Sequence, residues 1–276
     1  MVEQIERTDP SSNEGTIYVR DFSSISVVTI RRPTAHNAMT SRMWRELRNI
    51  GRKLGSNTRT RVVLVRGAFD YFTAGSDLKE FSHMSEDEVD EAFSLMEEAI
   101  STFERLPIPT VASIKGSAMG AGLELALACD LRVMAENARL GMPIARLGIT
   151  IGTPFAKRLV DLVGPSRAKD ILFTGRTLTS REATEMGLTN YAAPARKVDY
   201  VALRLAKTIS NNSPASVRTA KEAIAQCIPY REVPWRPRNN PFWVDTADFR
   251  EGVSAFVEKR LPNFKRYKKS RLVTKM

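Results

Sequence analysis

An α/β or α+β fold, with strands and helices alternating along a core and a helical C-terminal third, is predicted by three observations. Short β-rich runs recur as TIYVR (16–20), ISVVTIRR (25–32), RVVLVRG (61–67), TVASIKG (110–116) and LRVMAE (131–136). Between several of them, apolar residues fall at helical spacing. From about residue 198 onward helical spacing dominates, which places the helical region after the alternating core.

The elements follow in order. Residues 1–15, MVEQIERTDPSSNEG, are polar and acidic, unlike a targeting presequence, and read as a flexible arm. The first two β-rich runs are joined by a short polar turn, a hairpin signal, and Pro33 ends the second. In TSRMWRELRNIGRKLG (40–55), Met43, Leu47, Ile50 and Leu54 share a helical face behind a Thr/Ser cap. A long helix is expected from Ser85 to about Leu106, with Glu86, Asp87 and Glu88 favouring its N-terminal dipole. Several short segments from 154 to 188 look helical, Pro194 marks a boundary, and a helix follows from Val198 through Ile209. The segment IPYREVPWRPRNNPFW (228–243) holds four prolines and two tryptophans, so it reads as a packed surface loop or a lip that shapes a site. The resulting division is an arm over 1–15, a core over 16–196 and a helical region over 197–276 that ends in a basic tail.

Composition narrows the function classes. The net charge of +11 is concentrated: residues 259–276 carry eight Lys/Arg and no acid, so the rest of the chain holds only +3. That distribution fits a solvated tail, or service to an anionic ligand or subunit contact, better than nucleic-acid binding. With Cys129 and Cys227 alone, no disulfide framework or zinc cluster is expected. His36 and His83 lie far apart, so no metal site is expected either. No run of 18 apolar residues lacks a charge, so no membrane span is expected and the cytoplasm is the expected compartment.

The chemistry centres on KGSAMGAGLELALACD (115–130), where Glu124 interrupts a small, apolar run. A carboxylate taken out of water needs a basic partner or holds a proton. Gly116, Gly120 and Gly122 complete neither a phosphate loop nor a dinucleotide fingerprint, and no G-x-S-x-G elbow occurs. Backbone chemistry remains. A helix starting near Ala121 leaves its first N–H groups without intrahelical acceptors. A second small-residue turn, FTAGSDLKEF (72–81), has Asp77 opening a helical turn. Two such turns converging on one oxygen would form an oxyanion hole; the alternative is simple close packing.

These stretches resemble the crotonase (enoyl-CoA hydratase/isomerase) superfamily. The resemblance runs from the hairpin through RRPTAHNAM, FTAGSDLKEF, PTVASIKGSAMGAGLELALACDLRVMAENARLGMP, GLTNYAAP and AKEAI to REGVSAFVEKRLPNF, nearly the whole chain. It implies a spiral of β-β-α units with a helical C-terminal trimerisation region, assembled as a homotrimer or homohexamer. It implies an acyl-CoA thioester substrate, with coenzyme A entering as part of that substrate and no other cofactor. By resemblance, the Ser76 and Ala121 N–H groups hold the thioester oxygen; the family usually has Gly at the second position. His36, Ala38, Ala74, Leu78, Lys79 and Lys259 fall on coenzyme A-binding positions. Glu124 falls on one of two hydratase glutamates. The second would follow Pro143, where this chain has Ile144, and Thr150 or Thr153 are the candidates to orient a water in that acyl pocket. A single carboxylate suits double-bond isomerisation better than ordinary hydration. Cleavage or hydrolysis of a cyclic or β-oxo acyl-CoA, and a non-catalytic acyl-CoA-binding protein, are the alternatives.

Overall fold

The computed structural model describes residues 15–227 and 246–264. Gly15, the last residue of the expected arm, is buried against Met43 and Arg32, and its carbonyl accepts from Arg42. The Pro/Trp-rich segment 228–243 and the tail beyond residue 264 lie outside the described residues.

The hairpin is β1 (Thr16–Phe22) against β2 (Ile25–Arg31), with Ser23 in the left-handed region at the turn. A 3-10 turn at Pro33–Ala35 leads to α1 (Ser41–Ser56), capped by the Thr40 side chain as the Thr/Ser signal predicts. Then come β3 (Val62–Gly67), the short α2 (Leu78–Phe81) with Asp77 as its N-cap, and α3 (Glu86–Glu104). Ser85 and Glu88 form a reciprocal capping box at the start of α3, and the helix stops shortly before Pro107. The chain continues through β4 (Thr110–Ile114), β5 (Ser117–Met119), α4 (Ala121–Ala128), β6 (Leu131–Ala135) and β7 (Arg139–Gly141).

A 3-10 turn at Pro143–Arg146 precedes α5 (Thr153–Thr174), which is broken at Gly164 where φ is +76° before Pro165. This break is the reason several short helical segments were legible there rather than one. The remaining elements are β8 (Thr177–Thr179), α6 (Ser180–Glu185), β9 (Tyr191–Ala193), α7 (Val198–Asn211), α8 (Pro214–Cys227) and α9 (Thr246–Val257).

Six strands form one sheet in the order β1-β2-β3-β4-β6-β9, parallel except for the antiparallel edge β1. Every residue of β2, β3 and β4 is buried, as expected of parallel strands covered on both faces. Helix α7 packs on this sheet and is tied to it by Asp199, which bonds Arg66 at 3.0 Å, Lys115 at 2.8 Å and the Ser113 hydroxyl at 2.6 Å.

The second sheet, β5-β7-β8, positions the site. None of its strands stood out in the sequence apart from the small-residue run. At three residues each, they are too short for a periodic signal, and pairing alone defines them. Among the described residues, no helix is long and apolar enough to cross a membrane, and no group of three His, Cys, Asp or Glu is placed to hold a metal ion.

Candidate active site

Strand β5 is the axis of the site. On one side Thr73 forms a parallel bridge to Ala118, and on the other Met119 pairs in parallel with Gly141 of β7. Three chain segments therefore leave β5 and its neighbours at the same end. Ser76 stands three residues beyond Thr73, and Ala121 three residues beyond Ala118. The turn carrying Ile144 begins two residues beyond Gly141.

The two small-residue turns do converge. A β-carbon added to Gly75 would lie 2.5 Å from the Met119 carbonyl oxygen and 3.1 Å from the Ala121 nitrogen. One added to Gly122 would lie 2.6 Å from the Thr73 carbonyl oxygen. Gly75 adopts φ +92°, so glycine serves here for both backbone freedom and space. Gly120, with φ +54° and ψ −125°, turns the chain from β5 into α4 in a region that only glycine adopts freely. Among the described residues, neither the Ser76 nor the Ala121 N–H has a backbone acceptor. Both are donors at the ends of paired segments, and Ala121 opens a helix whose dipole favours negative charge.

A network behind these donors holds the first turn. The buried Asn37 side chain donates to the carbonyls of Ala68 and Tyr71, both at 2.8 Å, and accepts from the Arg32 N–H. The Asn37 main-chain carbonyl accepts from the Thr73 hydroxyl at 2.7 Å, and that hydroxyl accepts from the Gly75 N–H. The Trp44 indole donates to the Ser76 hydroxyl at 3.1 Å, which anchors that side chain. Arg32 pairs with Asp77 at 2.7 Å, and Ser41 donates through its N–H and hydroxyl to Glu80. Asn37, Thr73 and Trp44 were not singled out from sequence, although the first two lie inside the motifs that carry the resemblance.

Glu124 occupies the first turn of α4 and is buried. It has a basic partner: Arg158 of α5 donates from Nη1 to Glu124 Oε1 at 3.1 Å. The same guanidinium bonds Glu97 of α3 at 2.7 and 3.2 Å, the Ser101 hydroxyl at 3.0 Å and Glu104 at 2.8 and 3.0 Å. The two possibilities left open for Glu124 are thus not exclusive, because one arginine serves three carboxyls. Burial, first, and then the charge and hydrogen bond of Glu97 push the Glu124 carboxyl well above its ordinary range, against the pull of Arg158. Burial also raises Glu97, but the Arg158 charge and the hydrogen bonds from Glu124, Arg158 and Ser101 outweigh it and hold Glu97 below its ordinary value. Of the two, Glu124 is therefore the carboxyl that burial and its neighbours make the harder to ionise. Neither Glu97 nor Arg158 was read from sequence. The signal was a carboxylate among Phe93, Met96 and Ile100 on the buried face of α3, and an arginine between Phe155 and Leu159 on α5.

The other expected positions spread around this centre. His36 and Ala74 are exposed and their turns are joined, the Ala74 N–H donating to the His36 carbonyl at 3.1 Å. The His36 ring stacks on Tyr71 with centroids 4.2 Å apart. Ala38 and Leu78 are half-buried, and Lys79 is exposed on α2. Ile144 is half-buried and packs against the core, with Thr150 and Thr153 half-buried on the approach to α5.

Helix α9 closes over the Ile144 turn: Gly252 lies so close to Leu147 that a β-carbon would sit 2.5 Å from its Cα, and Gly148 is equally tight against Asp248 and Phe249. A cavity of about 400 Å³ opens between α2 and α9, lined by Phe81, Met84, Val89, Phe249, Val253 and Val257 among others. Ile144, Thr150 and Thr153 are not among its lining residues. Glu258 lines it, and Lys259, the next residue, is exposed.

Comparison with known proteins agrees with this architecture. The sequence model of the enoyl-CoA hydratase/isomerase family matches residues 20–268. YngF of Bacillus subtilis, which carries an enoyl-CoA hydratase/isomerase name, is 38% identical over 245 residues, covering 87% of this chain and 94% of that protein. The 2,3-dehydroadipyl-CoA hydratase of Escherichia coli is 33% identical over 247 residues, covering 87% and 95%. The crystal structure of an enoyl-CoA hydratase from Bacillus anthracis superposes with a TM-score of 0.74 at 34% identity, covering 90% of this chain and 98% of that one. With its fold, its converging turns and this match over most of its length, the chain belongs to the enoyl-CoA hydratase/isomerase family of acyl-CoA enzymes.

Proposed function

We propose that this protein stabilises a thioester enolate between the Ser76 and Ala121 N–H groups while Glu124 acts as the single acid/base, shifting a double bond along an enoyl-CoA. The observation that carries the reading is the convergence of the two turns that bear these donors, with the buried Glu124 in the first turn of the helix that Ala121 opens; by resemblance, Ile144 stands where a second carboxyl would act. The step balances without a co-reactant. The Glu124 carboxylate takes a proton alpha to the thioester, and the electrons pass to the thioester oxygen. The same proton then returns to a different carbon as the carbonyl re-forms. Each backbone donor in such a hole contributes about 10²–10³ in rate. Coenzyme A is carried by the surface around His36, Ala38, Ala74, Leu78 and Lys79, together with Lys259, and the apolar cavity beyond α2 offers room for an acyl chain. No cofactor enters the step. A trimer or hexamer fits the exposed Phe256, Val257 and Leu261 at the end of α9.

Hydration is the second reading, favoured by Thr150 and Thr153 on the approach to α5, where a water could be oriented. The test is turnover on a panel of short 2- and 3-enoyl-CoAs. Isomerisation is expected to be brisk and hydration poor, with Glu124→Gln abolishing turnover at nearly unchanged acyl-CoA affinity. Ile144→Glu is expected to raise hydration of a short 2-enoyl-CoA. Brisk wild-type hydration would overturn the single-carboxyl reading; tight binding with no turnover would favour a non-catalytic acyl-CoA-binding role.

A further inference from the structure

We propose that Glu97 is a positioning residue for Glu124: held by Arg158 and Ser101 on the same guanidinium, it orients the Glu124 carboxyl for proton transfer. This rests on the acid/base role proposed above for Glu124. The two carboxyls meet on one nitrogen, since Arg158 Nη1 donates to Glu97 Oε2 at 3.2 Å and to Glu124 Oε1 at 3.1 Å. Glu97 Oε1 is held twice more, by Arg158 Nη2 at 2.7 Å and by the Ser101 hydroxyl at 2.6 Å. Its side chain is only 1% exposed, so water does not screen its charge from its neighbour.

The charged groups acting on Glu124 are Glu97 and Glu104 from α3 and Arg158 from α5. Three ionised carboxylates around one guanidinium would leave a net charge of −2. Glu104 is 41% exposed, so water reaches it. Glu97 is saturated with donors and has no need of a proton. Glu124, the most weakly paired of the three, is where a proton relieves the charge, and its neutral form can donate to the Glu97 carboxylate.

This arrangement matters for catalysis because a carboxyl that holds its proton more firmly is a stronger base once ionised and a better-matched acid near neutral pH. Glu97 exchanges no proton with substrate at any stage. It supplies from α3 a second carboxyl that Ile144 does not supply from the turn after β7, but as an electrostatic support rather than as a second reacting group.

The test pairs a rate–pH profile on a short 3-enoyl-CoA with carboxyl ¹³C titration of glutamate-labelled protein, the Glu124 signal being identified by its loss in Glu124→Gln. In the wild type that signal is expected to titrate well above the ordinary glutamate value of about 4.3. Glu97→Gln is expected to move both this titration and the rising limb of the kcat profile to lower pH, by about a unit or more. It should also lower the plateau kcat about tenfold with KM little changed, while Glu97→Asp restores most of both. A merely structural role would reduce folded enzyme without moving either titration.

The proposal is overturned if the wild-type Glu124 signal titrates in the ordinary range, a result that needs no Glu97 variant to fold. It is equally overturned if Glu97→Gln retains the wild-type limb. Failure of the underlying acid/base reading looks different: Glu124→Gln would then turn over substrate like the wild type.

Discussion

Gly75 faces Ala121 so closely that a β-carbon at position 75 would stand 3.1 Å from the Ala121 nitrogen and 2.5 Å from the Met119 carbonyl oxygen. The first glycine of one turn is therefore a spacer for the donor of the other. It also sits at φ +92°, where an L side chain is strained. Gly75→Ala should separate the two donors by pushing the 73–76 segment off β5. The expected result is a loss of about 10²-fold or more in kcat, the scale of one oxyanion-hole donor. Steady-state kinetics beside a thermal melt would check it: a variant with wild-type kcat would mean that the two N–H groups do not act together.

The raised Glu124 titration has a stability signature of definite sign. From the ordinary carboxyl value of about 4.3 upward, the unfolded chain releases this proton while the folded protein keeps it. Stability therefore falls as pH rises toward the raised folded value. Glu124→Gln removes that penalty, and its amide can still accept from Arg158 and donate to Glu97. Its melting temperature relative to wild type should rise between pH 5 and pH 8, as scanning fluorimetry across buffers would show. A difference that shrinks with pH would contradict the assignment.

Arg158 joins α3, α4 and α5 through Glu97, Glu104 and Glu124. Arg158→Gln should destabilise the protein by about 3–5 kcal/mol near neutral pH, because it strands the buried Glu97 carboxylate without its counter-charge. Part of the loss should return in mildly acidic buffer, where that carboxyl takes up a proton. Urea midpoints at two pH values measure both effects.

Removal of residues 265–276 should weaken coenzyme A thioester binding modestly at low salt and little at high salt, since exposed charges are screened over about 8–10 Å near physiological ionic strength. Within the described part of this basic region, Arg260 is already engaged by Glu251 and Glu258, so Lys259 is the cation to compare by Lys259→Ala. Calorimetry at two salt concentrations separates the cases. Equal losses at both would instead indicate a role for the tail in folding or assembly.

Phe256, at 55% exposure, and Leu261, at 89%, present apolar surface that a monomer would leave in water. The wild type should sediment as a trimer or hexamer at micromolar concentration, and Phe256→Asp should shift it toward smaller species. Monomeric wild type would remove the assembly proposal.

The amino-acid sequence by itself determined the features whose physics is local. The Thr40, Asp77 and Ser85 caps, the buried strands of the large sheet and the start of α4 at Ala121 all follow from neighbouring residues, because capping and periodicity act over a few positions. Glu124 stood out for the same reason, as a charge within an apolar run. What surrounds it did not. Glu97 is 27 positions before it and Arg158 is 34 after it, and each taken alone resembles an ordinary charge on an amphipathic helix. Only the packing of α3, α4 and α5 brings them onto one guanidinium, and only the bridge from Thr73 to Ala118 sets Ser76 beside Ala121. The small β5-β7-β8 sheet was invisible for a related reason: three-residue strands carry no period, and their hydrogen-bond partners lie far along the chain. Residue types announced which groups could do chemistry. Long-range pairing decided how far apart they stand and which charges surround each of them.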